Sequence, residues 1–125
     1  MNTHALAVAT YGNPQTAQMD TRTAEYQVIA RITSRLQKAL AKGPDAFPLL
    51  ADALTENCRL WTEFAIDLAA DENRLPRALK GQLLSLADFT LRHTEAVLTG
   101  AAQADILIEI NVAIMRGLSG KEDIT

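Results

Sequence analysis

Residues 104–118 read ADILIEINVAIMRGL, and the fold class turns on how they are taken. Ile106, Ile108, Ile110, Val112 and Ile114 alternate along the chain, the period of a strand. Leu107, Ile110, Ile114 and Leu118 also recur at helical spacing, with Asp105 as a cap and Gly117 near the stop. A lone strand has no neighbour to pair its backbone N–H and C=O groups. Nothing else in the chain reads as a strand, so the segment is expected to be a helix and the protein all-α. The Ile and Val content implies that both sides of this helix are covered, by its own bundle or by another protein.

Upstream, three more segments carry the helical period. Val28, Ile29, Ile32, Leu36, Ala39 and Leu40 make one apolar stripe, and Gly43-Pro44 stops it. Two starts are offered: Asn13-Pro14, with proline at the first helical position, or Asp20-Thr21. Asp45 is placed as the cap of a second helix, whose seam is Phe47, Leu50, Leu54, Asn57, Trp61, Phe64 and Leu68. Its alternating steps of three and four are a heptad pattern with one polar member. Asp52, Glu56, Arg59 and Glu63 lie on the other side. Leu75-Pro76 ends that segment, because a residue before proline is driven from helical geometry. A third helix from about Pro76 to Gly100 carries Leu79, Leu83, Leu86, Thr90 and Val97, flanked by Leu84, Ala87, Leu91 and Leu98. That face is wide enough for two neighbours. The second and third helices span roughly 22 residues each, about 33 Å. The expected organisation is an N-terminal arm over residues 1–20, partly helical at most, and one helical domain of about four helices over residues 21–120.

The composition agrees. Of 125 residues 48% are apolar but only 5% aromatic, so the core must be aliphatic, and six Gly and four Pro leave few helix breakers. A net charge of −3 without any basic run argues against direct nucleic-acid binding. A single cysteine rules out an internal disulfide. Residues 1–14 have no basic start and no sustained apolar run, and no stretch is long enough to span a membrane, so a cytoplasmic protein is expected.

Chemistry-bearing patterns are sparse. Cys58 is read as a small hydrophobe beside the seam: its neighbour Arg59 points about 100° away on a helix, and nothing demands that His93 meet it. The spacings of His, Cys and carboxylates suit no metal, and isolated glycines cradle no phosphate. Asp67, Asp71, Glu72 and Glu95 read as solvated helix ends. No catalytic residue and no cofactor is expected. Asn57 is the exception, a polar residue in an apolar seam. Unpaired burial of its amide costs on the order of 1–3 kcal/mol, so it either hydrogen-bonds inside, fixing register, or meets a partner. The same alternatives stand for Trp61, core residue or interface anchor.

Several short segments, in order and spacing, resemble one family. They are Glu25-Tyr26, Ile32-Thr33-x-x-Leu36, Asn57-x-Arg59-Leu60-Trp61, Asp67, Asn73-x-Leu75-Pro76, Leu84-Ser85-Leu86-Ala87, His93, Leu107-Ile108-Glu109-Ile110-Asn111 and Met115-x-Gly117-Leu118. Together they resemble the FlaF flagellar biosynthesis regulators of alphaproteobacteria, over residues 23–119. The chain departs at position 58, which is more often basic in such sequences and is Cys here. The resemblance implies a cytoplasmic, non-enzymatic helper required for flagellin synthesis and filament assembly. It implies flagellin as a client, held as by an export chaperone, and the regulator FlbT as a partner. An alternative is control of flagellin translation through FlbT, with flagellin contacted only indirectly. Asn57, Arg59, Trp61, Asn73, His93, Glu109 and Asn111 are the candidate partner-binding residues, and uncovered apolar surface leaves a homodimer open.

Overall fold

Gly43 shows how local chemistry divides the chain. In the computed structural model, which describes residues 14–119, helix α1 (Pro14–Ala41) starts at the earlier of the two expected positions. Proline suits a first helical position because its missing N–H would have no intrahelical partner there. The helix ends where Gly43 adopts φ 85°, a left-handed conformation, and its N–H bonds the Leu40 carbonyl at 3.1 Å. Of the expected arm over residues 1–20, residues 14–20 belong to α1 and residues 1–13 lie outside the described residues.

A single 3-10 turn, Pro44–Ala46, leads directly into α2 (Phe47–Ala69). Asp45 therefore does not cap α2. It lies within the turn, and Ala46 takes the cap position without a side-chain bond. The backbone makes a capping side chain unnecessary. Ala46 N–H bonds the Gly43 carbonyl, Phe47 N–H bonds the Pro44 carbonyl, and Pro48 has no N–H to satisfy.

The connection to α3 (Arg77–Leu98) is extended at Ala70 and Pro76, and Asn73 Oδ1 accepts the Leu75 N–H at 3.1 Å. Beyond α3, Gly100 also takes φ 85°. Its N–H bonds the Val97 carbonyl at 3.0 Å, and Ala101 N–H bonds the Ala96 carbonyl at 2.8 Å. This pair of bonds is a Schellman motif. A Cβ added at Gly100 meets nothing within 4 Å, so only backbone strain opposes it. Gly100→Ala is expected to lower stability by about 1 kcal/mol, read as a shift in urea midpoint at constant slope. A neutral outcome would mean that the left-handed turn relaxes freely.

Residues 105–119 form α4 (Asp105–Ser119), so the helical reading of the alternating isoleucines holds. Asp105 is the first residue of the helix, where its carboxylate faces the positive end of the helix dipole. Leu107 and Asn111 are fully buried, while Ile106 is 36% exposed. Ile108, Ile110, Val112 and Ile114 are half-buried, so the bundle covers one stripe of this apolar helix and leaves its flanks partly open.

The four helices make one all-α bundle, without strands among the described residues. α1 packs along both α2 and α4, and α2 along α3, whereas α3 and α4 touch little. Leu36, Ala53, Leu54, Val97, Ala104 and Leu107 form the core, with Leu40, Leu50, Ala102 and Ile108 against it. They gather where α1 ends, α2 begins, α3 ends and α4 begins. On the outer edge, Glu56 accepts from Arg31 at 3.0 Å and from Arg35, tying α1 to α2. These side chains are partly exposed, so the pairs add little to stability. No described helix is long and apolar enough to cross a membrane.

Candidate partner-binding surface

One level below the aliphatic core, the bundle is polar. The indole N–H of Trp61 donates to Asn111 Oδ1 at 3.0 Å. Asn111 Nδ2 donates to Thr33 Oγ1 at 3.1 Å and to Asn57 Oδ1 at 2.8 Å. An indole can only donate, so it fixes which end of the Asn111 amide faces it and, through Asn111, the orientation of Asn57. Asn57 and Asn111 have no solvent exposure, and Trp61 has 2%. Trp61 also meets Phe64 edge to face, with ring centroids 5.4 Å apart. Three predicted residues are thus brought together from α2 and α4, with Thr33 of α1 as a fourth. Thr33, which belongs to a family-like segment but not to the candidate set, carries its own signal in the sequence. Ile29, Thr33, Leu36 and Leu40 step by four, three and four, so Thr33 is a polar member of an apolar seam, as Asn57 is.

The other predicted residues stand elsewhere. Asn73 shapes the α2–α3 turn, accepting from Leu75 N–H and donating to Asp67 Oδ2 at 3.5 Å. His93 Nε2–H donates to the Gln103 carbonyl at 2.7 Å, fastening α3 to the loop before α4. Its ring stacks on Phe89 at 5.0 Å. Arg59 and Glu109 are exposed on α2 and α4. Cys58 is half-buried and free of any disulfide. Among the described residues no cluster of three His, Cys, Asp or Glu side chains could hold a metal.

The surface keeps large apolar side chains in water. Phe47 is 45% exposed, Leu49 48%, Leu98 38% and Ile106 36%. All four lie at the end of the bundle where α2 and α4 begin and α3 stops. Phe47 opens the predicted seam, but it overhangs the core because no helix continues beyond it. The same end holds a groove of about 480 Å³ lined by Ala39, Leu40, Pro44, Phe47 and Leu50, with Gln103 beside them. At the opposite end Ile66, Leu75 and Leu79 are exposed, and Phe89 lies along the outside of α3.

Compared with known families, the chain matches the model described as flagellar protein FlaF over residues 7–118. The chain belongs to the FlaF family. The match begins well before residue 23, so the start of α1 and part of the segment preceding it share the FlaF pattern, which corrects the narrower span expected from short motifs. Those motifs cluster at helix contacts and turns, whereas the N-terminal stretch offers no such landmarks. FlaF proteins are non-catalytic regulators of flagellar biogenesis, and this FlaF protein is therefore not an enzyme. Neither the characterised proteins nor the solved structures compared with it include a match.

Proposed function

We propose that this FlaF protein binds flagellin as a cytoplasmic export chaperone, without catalysis, and thereby promotes flagellin synthesis and filament assembly. The observation that carries the reading is the exposed apolar rim of Phe47, Leu49, Leu98 and Ile106 at the end of the bundle that holds an apolar groove, which Phe47 lines, in a chain of this family. Flagellin's terminal segments are amphipathic and unstructured before assembly. Laying such a segment in an apolar groove hides its sticky face until export. Ordering the client costs several kcal/mol, so the bound surface must be largely apolar. In this reading Arg59, Glu109 and His93 set the client's register, whereas Asn73, in the α2–α3 turn, lies at the far end of the bundle from the groove. Asn57, Trp61 and Asn111 hold beneath them the helices that present the groove.

Calorimetry of the full chain with monomeric flagellin is expected to give a Kd of roughly micromolar or tighter. Phe47→Ser is expected to weaken that binding about tenfold, as expected for a central anchor, while leaving the thermal midpoint nearly unchanged. Absence of binding by the parent protein would remove the proposal. If the chain instead forms a stable pair with FlbT and flagellin adds nothing to its effect on translation, the regulator acts through FlbT and the client reading is wrong. A homodimer through the same rim would appear as concentration-dependent mass that flagellin dissolves.

A further inference from the structure

The polar layer has two loose ends. Asn57 uses its Oδ1 on Asn111, but its Nδ2, fully buried, has no partner. Thr90 Oγ1 on α3 is likewise buried and unpaired, and Thr90 has no solvent exposure. Two other helical threonines satisfy themselves locally. Thr55 donates to the Ala51 carbonyl at 2.9 Å, and Thr94 to the Thr90 carbonyl at 2.7 Å. Thr90 Oγ1 makes no such bond to its own helix. Asn57 and Thr90 are nearly equidistant along the chain from the turn at Asn73. In the tightly packed antiparallel pair α2–α3 this puts them at the same level. Two orphaned buried groups in one interface are rare in folded proteins, and each alone is destabilising. Asn57 Nδ2 can only donate, so what sits between them must accept a hydrogen bond and also serve a hydroxyl.

We propose that the α2–α3 interface is a binding site for a single ordered water, which accepts from Asn57 Nδ2 and pairs with Thr90 Oγ1. Water has the required valence and is small enough for two packed helices. With it the layer is complete: Thr33 from α1, Asn57 and Trp61 from α2, Thr90 from α3 and Asn111 from α4. Every helix then contributes to one hydrogen-bonded chain, and a slip of any helix by a turn strands a buried polar group. The layer so specifies register for all four helices. α3 is the helix joined through solvent rather than directly.

The test is solution NMR on the full chain. The side-chain amide protons of Asn57 are expected to show cross-peaks to a long-lived water. Thr90→Val, which keeps the shape and removes the hydroxyl, is expected to erase them and to raise the unfolding equilibrium constant about five- to tenfold. Thr90→Ser should retain both signals. Absence of the water cross-peak in the parent protein, or a direct Asn57–Thr90 hydrogen bond, overturns the proposal. So does a Thr90→Val variant as stable as its parent, because a dry, unpaired hydroxyl is better removed.

Discussion

Asn111→Ala is expected to lower the unfolding free energy by about 3–5 kcal/mol, a large share of the roughly 5–15 kcal/mol that holds a domain together. The substitution removes one amide but strands three buried partners: the Trp61 indole N–H, Thr33 Oγ1 and Asn57 Oδ1. Each stranded group carries a desolvation penalty of about 1–3 kcal/mol, only partly relieved by relaxation or by water entering the space. The check is urea denaturation followed by Trp61 fluorescence, since Trp61 is the chain's one tryptophan and lies in the layer itself. A loss below about 1 kcal/mol would show that the layer is not held as described. Replacing Asn57 and Asn111 together by leucine should be less damaging than the sum of the single changes, because it removes donor and acceptor at once.

Trp61→Ala is expected to be comparably severe, about 3–5 kcal/mol, for a different reason. Trp61 is 2% exposed and packs edge to face on Phe64, so truncation leaves a cavity as well as an unpaired Asn111 Oδ1. Trp61→Phe separates the two terms, keeping most of the volume and losing the indole donor. It should fall between the parent and the alanine variant. Flagellin binding provides the functional arm of the experiment. Where Trp61 acts by holding helices, binding weakens only in step with unfolding, and affinity measured well below the thermal midpoint changes little. Tenfold weaker binding by a fully folded Trp61→Phe protein would instead make the indole an anchor that the client reaches. Because Trp61 and Asn111 are bonded, their combined effect is expected to be less than additive.

Much of the fold was legible because the signals are local. Gly43 and Gly100 each take the left-handed conformation that closes α1 and α3, and Pro76 precedes α3. These are backbone preferences of single residues and need no neighbours. The seam of α2 was readable because helical geometry puts Leu54, Asn57, Trp61 and Leu68 on one side whatever they pack against. Asp45 departs from its expected capping role for an equally local reason. The 3-10 turn before α2 satisfies the first backbone donors, and a capping preference does not register that alternative. Asn57 was conspicuous as a polar residue in an apolar row, but its choice between core and partner could not be read. Its Oδ1 accepts from Asn111, 54 positions away along the chain.

By itself, the amino-acid sequence determined that this is an all-helical chain, where its helices stop, and that a polar residue interrupts the α2 seam, because each follows from backbone conformation or from the period of a helix. Tertiary structure alone decided that Asn111 meets Thr33, Asn57 and Trp61, that α4 lies along α1 while barely touching α3, and that Phe47 overhangs the core instead of filling it. Those outcomes depend on which helix faces which, and side-chain contacts between distant segments have no counterpart in any local pattern.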